Sequence, residues 1–265
     1  MSRAIRLWPL LTALQRYEKT ISTRNLGHGQ FIEAPILAYL IETPNGRILY
    51  DVGCDYAKIA DPELRARYLD PMRPRFEPPR MDPNQRIPAY LARLGLSVAD
   101  IDLVFVGHLH FDHAGGLCEV PGCEVHVQAA ELAAARAEPD NAIMAEVLAA
   151  AASGAANPWK IMEGEYTVAP GVQALASPGH TAGHMSMFIE LPQGPPVILC
   201  GDAADLQENL DAEIAPGYCW NDQEATALAS IRRLKSLAIR EKAQLWPNHD
   251  LAFYRALPQF PAWRD

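Results

Sequence analysis

Short apolar runs that stop abruptly at turns set the pattern of this chain. Ile101-Asp102-Leu103-Val104-Phe105-Val106 reads as a buried strand, and Val172 to Ala176, Pro196 to Cys200 and Ala243 to Trp246 repeat the pattern in shorter form. Ser177-Pro178-Gly179, Gly201 and Pro247-Asn248 end the latter three, each rich in residues that favour turns. Ile36 to Tyr50 reads as a hairpin reversing at Pro44-Asn45-Gly46. Helical spacing appears over Gln85 to Leu96, over the Ala-rich stretch Ala129 to Ser153, and most clearly over Asp222 to Lys242, where Leu228, Ile231, Leu234 and Leu237 share one face. Pro62, Pro71, Pro74, Pro78, Pro79 and Pro83 exclude a long helix between Asp61 and Pro83. Leu7 to Leu14 predicts a first strand at a sheet edge, where Pro9 is tolerated.

The residues just beyond the apolar runs carry the chemistry. The first run leads into His108-Leu109-His110-Phe111-Asp112-His113, a density of imidazole and carboxylate that points to a transition-metal site. On a strand, side chains alternate, so His108 and His110 are expected to leave on one face and grip one ion. Gly115 and Gly116 come next, so Asp112 and His113 fall where the chain is leaving the strand and can face a second ion. The other runs end in His180, Asp202 and His249. Loops at one rim of a rigid sheet are where functional groups are commonly placed, and convergence of these strand ends is the simplest geometry.

With these residues in view, the chain resembles the metallo-β-lactamase superfamily and, within it, the N-acyl-homoserine lactone lactonases. The likeness runs from about Gln30 to His249 and includes Ala34 to Thr43, Asp51-Val52-Gly53, His108 to Gly116, Ile161 to Tyr166, Pro178 to His184 and Ile231 to Lys235. It implies a four-layer αββα sandwich, read here as one domain over residues 1–265. It also implies two divalent ions: His108, His110 and His180 on the first, Asp112, His113 and His249 on the second, Asp202 between them. Zinc suits these donors; iron, manganese and cobalt are also compatible. Asp51 would orient a ligand histidine, and His184 would support the site from behind. His126, in an apolar run, reads as a packed histidine.

Two such ions would lower the pKa of a shared water and polarise a carbonyl, and Asp112 could protonate the departing oxygen as a general acid. That chemistry is hydrolysis of an ester-like carbonyl, with an N-acyl-homoserine lactone as the expected substrate. A pyridoxolactone, a sugar-type lactone or a glyoxalase II-type thioester is the alternative within the fold. A mononuclear iron dioxygenase is the alternative from another class, and the intact second ligand set counts against it. Phe111, Tyr68 and Phe76 are expected to wall the substrate pocket. One position departs from the lactonases, which place a tyrosine three residues after the bridging aspartate; here the run is Asp202-Ala203-Ala204-Asp205. Asp205 is therefore a catalytic candidate of unusual kind, with Tyr56, Tyr68 and Tyr218 as possible stand-ins for the missing hydroxyl.

Composition narrows the setting. A net charge of −9 and a pI near 5.4 argue against a nucleic-acid partner. The odd set of five cysteines without a Cys-x-x-Cys pair suits a reduced, cytoplasmic protein. The N-terminal apolar run is too short and too interrupted for a signal peptide, and no membrane partner is expected. A monomer and a homodimer are equally compatible with the sequence.

Overall fold

In the computed structural model, which describes residues 3–137, 149 and 157–265, the chain forms two packed sheets flanked by helices. The first sheet runs β1 (Arg6–Glu18), β2 (Phe31–Thr43), β3 (Gly46–Tyr50), β4 (Leu103–Phe105), β5 (Glu124–Gln128) and β6 (Trp159–Met162) in spatial order. Its first three strands are an antiparallel meander, and β3 to β6 are parallel. The second sheet contains β7 (Tyr166–Ala169), β8 (Val172–Ala176), β9 (Met185–Ile189), β10 (Val197–Leu199) and β11 (Gln244–Trp246), adjacent in that order. The last pair is parallel and the others are antiparallel. The helices are α1 (Tyr56–Ala60), α2 (Pro62–Tyr68), α3 (Ile87–Arg93), α4 (Phe111–Ala114), α5 (Ala129–Arg136), α6 (Gln207–Ala212), α7 (Glu224–Glu241) and α8 (Leu251–Ala256).

Alternation along β2 explains the layering. Leu37, Tyr39 and Ile41 point between the sheets, where they meet Tyr50, Phe105, Met187 and Trp246. Ala38 and Leu40 point the other way, onto Ile87 and Leu91 of α3 and Leu132 of α5. Both faces are covered, so the strand reads as an unbroken apolar run. On the far side, Ile231 and Leu234 of α7 pack on Phe188 and Ile198 of the second sheet. Each such aliphatic side chain contributes about 2 kcal/mol when fully buried. Helix, sheet, sheet and helix give the expected αββα order.

The elements follow the sequence pattern with shorter bounds. β4 covers only Leu103–Phe105 of the run from Ile101 to Val106, and α3 only Ile87–Arg93 of the stretch from Gln85 to Leu96. The Ala-rich stretch forms α5 at its start, and its remainder from residue 138 lies outside the described residues apart from residue 149. The hairpin turns where expected, with Thr43 paired to Gly46. Within the Pro-rich segment Pro62 opens α2, because a helix start has no use for its missing N–H and the Asp61 side chain accepts from the amides of Glu63 and Leu64. β1 lies at the sheet edge, as Pro9 requires; single bridges from Leu7 to Arg264 and from Leu14 to Arg80 cover its outer side.

Candidate metal centre

Four strands of the sandwich end at one rim, and the loops beyond β4, β8, β10 and β11 bring His108 to His113, His180, Asp202 and His249 together. The chain leaves β4 earlier than the sequence pattern suggests, so His108 and His110 stand in the loop and strand alternation does not aim them. Gly107 starts that loop. Its amide donates to Asp51 Oδ1 at 2.8 Å, and a Cβ there would sit 2.7 Å from the Tyr50 hydroxyl. The backbone then carries both rings into one cluster by its own turn.

His108 Nε2 lies 2.9 Å from His110 Nδ1, which lies 3.0 Å from His180 Nε2. Asp202 Oδ2 completes this group at 3.4 Å from His180 Nε2 and 3.7 Å from His108 Nε2. Its other oxygen, Oδ1, is 3.1 Å from His113 Nε2 and 3.2 Å from His249 Nε2, and Asp112 Oδ2 is 3.7 Å from both rings. Two donor sets therefore share one carboxylate. His113 Nε2 is buried without a hydrogen-bond partner, and His110 Nδ1, which offers one proton or one lone pair, faces two ring nitrogens at hydrogen-bond distance. Imidazole and carboxylate donors in this arrangement fit a pair of divalent cations. No cysteine is in either group.

The residues behind the donors fix their orientation. Asp51 has a left-handed backbone (φ 58°), which an aspartate tolerates better than most residues, and it is fully buried. Its Oδ2 accepts from His113 Nδ1 at 2.8 Å, which turns the other ring nitrogen to the centre. His249 Nδ1 donates to the Pro35 carbonyl at 2.8 Å with the same effect. His184 stays out of the donor sets: its Nε2 accepts from the Asp202 amide at 2.9 Å and its Nδ1 meets Ser177 Oγ at 2.8 Å.

Charge and burial compete inside the cluster. Burial pulls the pKa of His108 and His180 well down, and that of His184 down to about 4. His113 and His249 are buried too, but the neighbouring carboxylates, Asp202 foremost, outweigh burial and raise them, His249 to about 10. Burial would raise Asp202; the surrounding imidazoles, His113 first, hold it well below the usual carboxylate range. Protons and metal ions compete for such nitrogens.

The pocket candidates divide. Phe111 packs against Ile59, Tyr68 and Leu69 beside the centre, and a small hollow opens between Phe111, Ile59, Leu69 and Lys58. Tyr68 is buried in that patch, with the Lys58 ammonium 5.1 Å from its ring centre. Phe76 instead packs on Tyr17 at 5.8 Å between ring centroids. Of the tyrosines considered for the missing hydroxyl, Tyr218 lies over the centre, 5.8 Å from the His110 ring and 5.7 Å from the His180 ring. Tyr56 instead sits under the Arg86 guanidinium at 5.1 Å. Asp205 is buried, and its carboxyl is pushed well above its ordinary pKa by burial and then by the Asp202 charge.

Sequence reasoning missed Glu131, Asn248 and Tyr17. Glu131 is buried on α5, and its two oxygens accept from the amides of Leu109 and Gly183, each at 3.0 Å, so one carboxylate ties together two donor loops. Asn248 Nδ2 donates to Asp202 Oδ1 at 3.2 Å. The Tyr17 hydroxyl lies within reach of the charges of Asp205, Asp202 and Asp112. Asn248 adjoins a predicted ligand and could have been flagged; nothing local marks the other two.

Comparison with known proteins agrees with this geometry. The model of the metallo-beta-lactamase superfamily matches residues 32–239. An N-acyl homoserine lactonase of Bacillus sp is 35% identical over 236 residues, 89% of each chain. The N-acyl homoserine lactonase AiiA of Bacillus thuringiensis subsp. kurstaki is 34% identical over the same share. A solved N-acyl homoserine lactone hydrolase with the product N-hexanoyl-L-homoserine at its catalytic metal centre superposes with a TM-score of 0.86 at 31% identity, covering 99% of this chain and 100% of that one. Shared sequence over most of the length and the same layered sandwich place this chain in the metallo-beta-lactamase superfamily.

Proposed function

We propose that this protein is a metal-dependent hydrolase that opens the ring of N-acyl-homoserine lactones, a quorum-quenching lactonase. The observation that carries the reading is the pair of donor sets sharing Asp202, in a chain about one third identical to lactonases over 89% of its length. His108, His110 and His180 would hold one ion and Asp112, His113 and His249 the other, with Asp202 available to both and zinc as the favoured metal. When bound, such a pair supplies a Lewis acid for the carbonyl and a hydroxide-strength nucleophile at neutral pH.

The chain's own groups do the rest. Asp51 and the Pro35 carbonyl hold His113 and His249 in the tautomers that turn Nε2 inward. His184 fixes the Asp202 backbone, and Glu131 fixes the spacing of the loops carrying His110 and His180. Asp112, whose side chain keeps 13% of its exposure, would take up the proton given up by the attacking water and return it to the ring oxygen as the acyl–oxygen bond breaks. Phe111 and its apolar neighbours take the acyl chain on one side, and the Tyr218 ring borders the first donor set on the other.

The test is acid release from a panel of short- and long-chain acyl-homoserine lactones, simple γ- and δ-lactones and a thioester, with zinc-, manganese- and cobalt-loaded protein. Turnover of acyl-homoserine lactones that chelator abolishes is expected. Activity confined to another lactone or to the thioester would keep the metal chemistry and discard the substrate, and Asp205 in the position of the lactonase tyrosine gives that outcome a specific cause. Silence on every carbonyl, with one iron per chain, would overturn the hydrolase reading.

A further inference from the structure

Asp205 is only 3% exposed, yet one of its carboxylate oxygens, Oδ1, has no hydrogen-bond partner. The Ser22 hydroxyl lies close enough to the carboxylate to stabilise its charge and is itself 2.9 Å from the Tyr17 hydroxyl. Its main chain is fixed as well, because the Asp205 carbonyl accepts from the His249 amide at 2.8 Å. A carboxylate oxygen, an Asp202 oxygen and a His249 ring nitrogen all lie within 4.8 Å of one another. His249 cannot satisfy the open oxygen with a ring proton: Nδ1 is committed to Pro35, and Nε2 faces Asp202 and Asp112. Asp205 does not cap the next helix either: the Leu206 amide is taken by Asn209 and the Gln207 amide by Asp250. A buried carboxylate with an unpaired oxygen, beside two other donors, is matched by a cation.

We propose that Asp205 is a further oxygen ligand of the ion held by Asp112, His113 and His249, with Ser22 and Tyr17 as its positioning residues. This rests on the dinuclear reading above and deepens it. A second carboxylate alongside Asp112, in addition to the shared Asp202, makes this site richer in hard oxygen donors than the histidine-rich first site. The second site is therefore expected to favour manganese or ferrous iron relative to zinc more strongly than the first does.

The test is metal binding, independent of turnover. Metal-stripped wild type, Asp205→Asn and Ser22→Ala are titrated with Mn2+ and with Zn2+ against a chromophoric chelator, after circular dichroism has established that each variant is folded. Wild type should bind two ions. Asp205→Asn should raise the dissociation constant of one Mn2+ by about tenfold or more, that of the other by less than about twofold, and the affected Zn2+ constant by a smaller factor. Ser22→Ala keeps the carboxylate and loosens it, so a rise of about threefold at the same ion is expected, and this variant carries the test if Asp205→Asn does not fold. Two ions with unaltered constants in the folded variants would overturn the role of Asp205 alone. A wild type that binds one ion would overturn the dinuclear reading with it.

Discussion

Glu131 has an influence out of proportion to its place in the sequence. It sits in an Ala-rich helix, 22 residues from Leu109 and 52 from Gly183, and accepts a hydrogen bond from each of those amides. In Glu131→Gln one oxygen becomes an NH2 group, and whichever amide it faces loses its acceptor in a buried place. A loss of about 2 kcal/mol in urea unfolding is expected; an unchanged midpoint and slope would mean that the loops hold their spacing without it. The donors themselves differ in how they can be recognised. His108, His110, Asp112 and His113 are legible because imidazoles and carboxylates crowd a single loop, and His180, Asp202 and His249 because each comes just after an apolar run. Glu131, Tyr17 and Ser22 act only through partners brought up by the fold, so no local pattern reveals them. Asp205 was legible only as a departure from the lactonases, and its buried, half-paired carboxylate is a property of the folded chain.

At the scale of elements, the ends of the strands matter more than the strands. β10 is only Val197–Leu199, and the chain must turn at once to present Asp202. Gly201 makes that turn with a left-handed backbone (φ 55°), and an added Cβ would lie 2.6 Å from His184 Nε2 and 2.8 Å from the Tyr50 hydroxyl. Gly201→Ala therefore combines backbone strain with the displacement of the ring that fixes the Asp202 amide. A destabilisation of more than about 2 kcal/mol is expected, together with weaker retention of metal on dialysis against chelator. Wild-type stability and metal content in that variant would show that the turn has slack. The apolar runs predicted which strands exist, yet β4 and β10 are shorter than their runs. The reason is physical: Ile101 and Val106 are buried although they lie outside the strand bounds, so burial marks a longer run than the paired strand itself.

For the whole molecule, apolar runs covered on both faces foretold the layers, whereas strand order depends on crossovers that periodicity does not encode. A polar contact between strands of the two sheets lies away from the metal centre. His126 on β5 meets the Tyr166 hydroxyl on β7 through Nδ1 at 2.8 Å, and its Nε2 meets Glu124 Oε1, also at 2.8 Å. Burial lowers the His126 pKa below its ordinary value and the Lys160 charge adds to this, while the hydrogen bond and charge of Glu124 oppose it. A histidine with a depressed folded-state pKa favours the folded state most when neutral. Its contribution is therefore fully present above the unfolded-state value of about 6.5 and is lost as pH falls through the lower folded-state value. His126→Gln should cost about 1 kcal/mol at pH 8 through the altered hydrogen bonds. The variant should also lose less stability than wild type between about pH 6.5 and the acid side, where wild type must protonate a buried ring. Urea unfolding of both proteins across that range, with the metal load held constant, reads the difference directly. Parallel pH profiles would mean that this histidine contributes nothing to stability that depends on its charge.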